Sequence, residues 1–216
     1  MGKDKLRKFG EFDAMSHTFD YTHTELKGNW QQKVFGNKQP IVLELACGGG
    51  EYTLGLAQRY PDKNFIGVDI KGNRLWKGAK QSLAMGLSNV AFLRIQIEQL
   101  ATFFEANEVD EIWITFPDPQ PRESKVKKRL TSSRFLSIYR EIAKPSTRIH
   151  LKTDSPLLFH FTKEQIEAEK LHLHEELSNV YKLQPVPEDL LIQTFYEKKW
   201  LLENRVIRYL QFSLFP

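Results

Sequence analysis

The stretch Pro40-Ile-Val-Leu-Glu-Leu-Ala-Cys-Gly-Gly-Gly-Glu51 decides the fold. Ile41 to Leu45 is a short apolar run, and Gly48 to Gly50 interrupts it. That pattern predicts a buried strand followed by a tight turn. Glu51 to Tyr60 then puts Leu54, Leu56 and Ala57 on one helical face, and Pro61 follows. The strand-turn-helix unit recurs downstream. Further strands are expected at 64–69, 90–94, 111–116 and 147–152, and helices at 73–85, 97–104 and 135–143. Ser132 or Ser133 can cap the last of these helices, and Pro145 closes it. Ser155-Pro156 opens another, with proline in its first turn. Five alternations predict an α/β class: a doubly wound, mostly parallel sheet with right-handed crossovers. The last third departs from this rhythm. Leu190–Tyr196 and Val206–Leu214 predict two strands, expected as an antiparallel pair at the sheet edge.

Upstream of Pro40 the texture differs. Residues 1–10 carry Lys3, Lys5, Arg7 and Lys8 against Asp4 alone, and the stretch to Gln39 is polar with scattered aromatics. Residues 1–39 are expected to form an irregular basic arm, and 40–216 the functional domain. The 216 residues, 41% hydrophobic and 27% charged, match a soluble globular chain. The net charge of +4 is too small to announce nucleic acid by itself, so distribution must decide. One cysteine, Cys47, excludes an intrachain disulfide framework and a cysteine-rich zinc module. No apolar run is long enough for a membrane span, and no apolar stretch follows the charged start as a secretory signal requires. A reducing, cytoplasmic setting is the expectation. The six histidines are dispersed, and His172 and His174 stand two apart, so no metal site is expected.

Open parallel sheets bind ligands at the carboxyl ends of their strands, where the strand order reverses. At the end of the first strand, Ala46, Gly48 and Gly50 let a ligand approach the backbone. Asp69 closes the second strand nineteen positions past Gly50, where a carboxylate can accept both hydrogen bonds of a ribose diol. The turn lacks the G-x-G-x-x-G spacing and holds no Arg or Lys for a pyrophosphate. Glu44, just before it, repels a diphosphate and suits a cation. A ribose acid beside an acidic, glycine-lined turn describes S-adenosylmethionine better than a nicotinamide dinucleotide. A tight turn with no ligand is the plainer alternative.

The most unusual segment is Phe116-Pro-Asp-Pro-Gln-Pro-Arg-Glu-Ser-Lys-Val-Lys-Lys-Arg-Leu130. Three prolines in five positions stiffen the exit of the fourth strand and hold Asp118 near the expected site of the methyl group. Arg122, Lys125, Lys127, Lys128 and Arg129 then place five cations against Glu123 within eight residues. Each cation that meets a phosphate releases a counterion, so these residues are candidate RNA-backbone contacts. The alternative is a solvated basic loop.

These motifs together resemble the bacterial tRNA (guanine-N7)-methyltransferase family. The matching residues are Glu44 to Gly50, Asp69, Phe116-Pro-Asp-Pro-Gln-Pro121, Thr153-Asp154 and Thr194-Phe-Tyr-Glu197. The resemblance implies a Rossmann-like class I methyltransferase using S-adenosyl-L-methionine to methylate N7 of a guanine in tRNA, in the variable loop. It assigns Arg122, Asp154 and Thr194 to Glu197 to substrate binding, and it implies self-sufficiency, with homo-oligomers possible. Cofactor contacts are expected from Glu44, Ala46, Gly48, Gly50, Asp69, Gln96 and Asp118, with Asp118 nearest the reaction. Asp154 or Glu197 is the candidate for guanine's N1–H and N2–H₂. Four departures stand out: Gln120 where the family has tryptophan, Gln96 where it has aspartate, Ala46 where it has glycine, and Thr194-Phe-Tyr-Glu197, which keeps the family's Thr and Glu but not its middle order. A catalytically silent RNA-binding subunit, or a methyltransferase for another RNA, is the alternative.

Overall fold

The computed structural model describes residues 3–215. Eight strands form one sheet: β1 (Thr18–Asp20), β2 (Ile41–Leu45), β3 (Asn64–Val68), β4 (Val90–Arg94), β5 (Val109–Thr115), β6 (Ala143–Thr153), β7 (Leu173–Leu177) and β8 (Arg208–Ser213). Their order is β1-β4-β3-β2-β5-β6-β8-β7. From β1 to β6 every neighbour is parallel, and β8 runs antiparallel to both β6 and β7. The chain moves outward from β2 through β3 to β4, then returns to the other side of β2 with β5 and β6. The reversal therefore lies at the carboxyl end of β2, where an open sheet leaves a crevice.

The helices are α1 (Lys3–Asp13), α2 (Glu51–Arg59), α3 (Gly72–Ala84), the single turn α4 (Leu100–Phe103), α5 (Ser133–Ile142), α6 (Pro156–Ala168) and α7 (Phe195–Leu202). β2 is buried on both faces, which explains its unbroken apolar run. Ile41, Leu43 and Leu45 point into one core with Ile66, Ile112 and Ile149. Val42 points into the other, with Tyr52, Leu75, Phe92 and Trp113. Strand alternation puts Glu44 on Val42's side, beneath α2. Ser155 caps α6 by accepting from the Leu158 N–H at 3.2 Å. Among the described residues no helix is long and apolar enough to cross a membrane.

Two expectations are corrected. The described part of residues 1–39 is regular: it holds α1, β1 and a π-helical turn over Trp30–Phe35. β1 joins the sheet beside β4, pairing Thr18 with Phe92. The scattered aromatics are anchors, with Phe12 and Trp30 buried. The Trp30 ring stacks on Phe104 at 5.3 Å, and its Nε1–H donates to the Phe103 carbonyl at 2.8 Å. Aromatics spaced for insertion into a distant core leave no local period. The second correction concerns 190–196, which is no strand. A 3-10 turn (Glu188–Leu191) leads into α7, capped by Thr194, whose hydroxyl accepts from the Glu197 N–H at 3.1 Å. The outer antiparallel partner of β8 is β7, whose Leu-His-Glu-Glu-Leu sequence carries little strand preference.

Candidate active site

Two clefts open at the carboxyl end of β2 and share Ala46. The first is walled by Cys47–Gly49, Thr115 and Phe116, Arg74 and Lys77 of α3, and Thr194–Tyr196. The second is walled by Asp69, Ile70, Gln96, Ile97, Lys128 and Phe135. The turn between them is tightly bent. Gly50 has φ 72°, and a Cβ there would lie 2.7 Å from the Phe92 ring. Ala46 stands at φ 57°, a left-handed conformation that costs an L-residue about 1–2 kcal/mol and explains why a glycine suits this position.

Asp69 is buried and holds the turn. Its Oδ2 accepts from the Gly48 N–H at 3.0 Å and its Oδ1 from the Lys71 N–H at 2.8 Å. A carboxylate has about four acceptor positions, so lone pairs remain for a diol in the second cleft. Glu44 sits below the turn and lines neither cleft. Its carboxyl accepts from the Thr53 N–H at 2.8 Å, the Thr53 hydroxyl, and the Thr115 hydroxyl at 2.6 Å. Burial pushes its pKa up to about 7, against the pull of these donors. Glu44 thus fastens the first turn of α2 to β5. The Cys47 thiol is buried, and burial, with Glu44 and Asp69 nearby, pushes it well up, so it stays protonated.

On the other side, Asp118 is exposed beyond β5, and its Oδ1 accepts from the Gln120 N–H at 3.0 Å. Arg129 is buried; its guanidinium donates to the Gln120 carbonyl at 3.3 Å and lies 4.5 Å from the Phe161 ring. It braces the proline segment from inside. Arg122, Lys127 and Lys128 are exposed, and Lys125 is half-buried in a 3-10 turn spanning Glu123–Lys128. Asp154 is half-buried and pairs through Oδ2 with Arg205 at 3.0 Å. Glu197 is fully buried and paired with Lys152, also fully buried, at 2.8 Å.

Comparisons with known proteins place this arrangement. A family model described as "Putative methyltransferase" matches residues 38–210. A tRNA (guanine-N(7)-)-methyltransferase of Bacteroides thetaiotaomicron is 49% identical over 99% of this chain and 87% of its own. One of Porphyromonas gingivalis is 54% identical over 88% of this chain and 77% of its own. One of Christiangramia forsetii is 44% identical over 98% of each. This chain belongs to the tRNA (guanine-N7)-methyltransferase family. Among solved structures, the 16S rRNA methyltransferase KamB shares the fold, with a TM-score of 0.65 at 15% identity over 86% of this chain and 92% of that one. So does the 16S rRNA (adenine(1408)-N(1))-methyltransferase of Catenulisporales acidiphilia, with a TM-score of 0.61 at 15% identity over 87% of this chain and 93% of that one.

Within this family member, the structure gathers Ala46, Gly48, Asp69 and Gln96 around the paired clefts, with Thr194 on the far wall. Several expected site residues are placed otherwise than at the clefts in this structure. Glu44 lies under the turn and supports it. Asp118 lines neither cleft. Arg129 is buried, and two of its donors are directed at the protein's own backbone. Glu197, with both oxygens engaged and no exposed surface, cannot meet a base edge in this arrangement. Sequence reading missed Arg74 and Lys77, which face the first cleft, and the apolar side chains of Ile70, Ile97 and Phe135 in the second. Arg74 and Lys77 were legible in part, being one helical turn apart directly after the ribose acid.

Proposed function

We propose that this methyltransferase transfers a methyl group from S-adenosylmethionine to N7 of a guanine in the variable loop of tRNA. The observation that carries the reading is the pair of clefts meeting at Ala46, one walled by Asp69 and the apolar Ile70, Ile97 and Phe135, the other by the Gly48–Gly49 backbone and the rings of Phe116, Phe195 and Tyr196. The residues of the second cleft suit an adenosine. Asp69 would accept from the ribose hydroxyls, Ile70, Ile97 and Phe135 would cover the purine, and the Gln96 carbonyl would accept from the adenine amino group. The first cleft suits an amino-acid tail against the Gly48–Gly49 backbone. Glu44 below supplies negative charge there once it ionises, and a cation over the turn favours that ionisation. When bound, the cofactor supplies an electrophilic methyl group on a sulfonium.

Guanine N7 carries a free lone pair and no proton, so an in-line displacement needs no general base. Catalysis reduces to alignment, which can be worth about 7–11 kcal/mol. Phe116, Phe195 and Tyr196 offer ring faces for a splayed base; Phe195 and Tyr196 are exposed beside the cleft. Asp154 accepts from the guanine N1–H and N2–H₂ edge after Arg205 yields, and Thr194 holds the wall that the base meets. Arg122, Lys127 and Lys128 contact phosphates, with Lys125 behind them.

The test is incubation with unmodified tRNA and methyl-labelled cofactor, followed by nucleoside mapping. The expected product is N7-methylguanosine at one variable-loop position. Label on another base, or on another atom of guanine, overturns the reading.

A further inference from the structure

Lys152 lies in β6, directly before Thr153-Asp154, with no exposed surface. Its ammonium has three N–H donors, and each has a partner. It donates to the Leu190 carbonyl at 2.7 Å, the Ile192 carbonyl at 3.0 Å and Glu197 at 2.8 Å. The Glu197 carboxylate also accepts from the Tyr181 hydroxyl at 2.8 Å, and that hydroxyl accepts from Gln193 Nε2 at 3.1 Å. Burial draws Lys152 down and Glu197 up, and each charge opposes that drift in the other. On its own backbone, Lys152 accepts at its carbonyl from the Phe116 N–H at 2.8 Å.

Residues 188–197 form a strap over α2. Asp189 accepts from Arg59 at 3.1 Å and from the Tyr60 hydroxyl at 2.9 Å. Gly55 lets Ile192 approach so closely that a Cβ would sit 2.8 Å from it. No strand ladder joins the strap to β6, whose neighbours are β5 and β8. Lys152 supplies that connection. A buried ion pair adds little net stability compared with apolar residues of similar volume. A three-pronged donor, by contrast, fixes a distance and an orientation.

We propose that Lys152 is a positioning residue for the methyl transfer: from behind the first cleft it fixes the strap bearing Thr194 and Tyr196 relative to the Phe116 segment, setting the separation of the walls between which the target base is held. This rests on the reading of the Phe116, Phe195 and Tyr196 side of the first cleft as the guanine site.

The test compares Lys152→Met combined with Glu197→Leu, an apolar pair of similar size, with Glu197→Gln alone. Melting temperature, hydrogen exchange across 188–197, affinity for S-adenosylhomocysteine, and kcat and KM with tRNA are measured. The double variant is expected to bind S-adenosylhomocysteine with unchanged affinity, lose strap protection, and lose roughly a hundredfold in kcat, the scale of an ångström-sized misplacement. Glu197→Gln keeps an acceptor for the ammonium, so it should retain strap protection and stay within about tenfold of the parent rate. Unchanged strap protection and unchanged kcat in the double variant overturn the proposal. So does Glu197→Gln if it keeps strap protection yet loses as much rate as the double variant, because the carboxylate then touches the base itself. If the double variant does not fold, Glu197→Gln alone decides on the same criteria. Methylation of another base by the parent protein defeats the guanine reading and leaves the exchange result standing, so the two failures are separable.

Discussion

The wall holding Asp69 and the wall holding Thr194 meet across the paired clefts, yet they are built differently. The first wall is backbone and turn: a left-handed Ala46, a glycine that no side chain could replace, and one carboxylate gripping two amides. Its shape is set within twenty-odd residues of chain. The second wall is assembled from 116–130 and 188–205, where loops, 3-10 turns and the short helix α7 lie outside the sheet and are held by side chains. Lys152 ties the strap, Arg129 ties the proline segment, and Arg205 ties Asp154. Asp69 of the first wall lines a cleft, whereas Lys152, Glu197 and Arg129 behind the second are internal fastening.

That contrast can be broken experimentally. The largest effect is expected on the first wall. Asp69→Ala frees two amides and removes the proposed ribose contacts, so cofactor affinity should fall by about 4 kcal/mol, roughly a thousandfold, by calorimetry. Unchanged affinity would move the cofactor elsewhere.

Glu44 gives the next effect, in stability rather than binding. Its pKa is raised in the folded chain to about 7 from an ordinary 4.5. The folded state therefore binds its proton more tightly than the unfolded state does. The stabilisation is complete below about pH 4.5 and is lost as pH rises to about 7, a change of about 3 kcal/mol. Denaturant unfolding of the parent protein and Glu44→Gln across this range should show the parent losing that much relative to the variant. Parallel curves would mean that Glu44 is ionised throughout.

The smallest effects separate fastening from contact within the basic segment. Arg129→Ala should cost about 2 kcal/mol of stability through its lost bonds to the Gln120 carbonyl and its place over Phe161. Lys127→Glu with Lys128→Glu should leave the melting temperature in place and flatten the salt dependence of tRNA binding by about two in slope. The reverse pattern would exchange the roles of these neighbours.

The alternation that predicted β2 to β6 was legible because each strand and helix carries its own period and its own stop. The glycine turn and Asp69 were legible because their geometry is local. The internal partners of Glu197 and Arg129 left no mark in the sequence, for a common reason. A charged side chain in a polar stretch looks exposed until the fold brings Lys152, or the Gln120 carbonyl, to meet it. The strap was misread as a strand because Leu190 and Ile192 alternate like one, while their carbonyls bond to a lysine from another part of the chain. Trp30 and Phe12 gave no signal because each fits a core built by residues far along the sequence.

The placement of β1 has a consequence for solubility. The residues matched by the family model begin at 38, yet Thr18–Asp20 occupies the outer side of β4. A chain trimmed to the matched span would bare the amides and carbonyls of β4 as an open template for another molecule's strand. Thr18–Asp20 thus doubles as a guard against self-association.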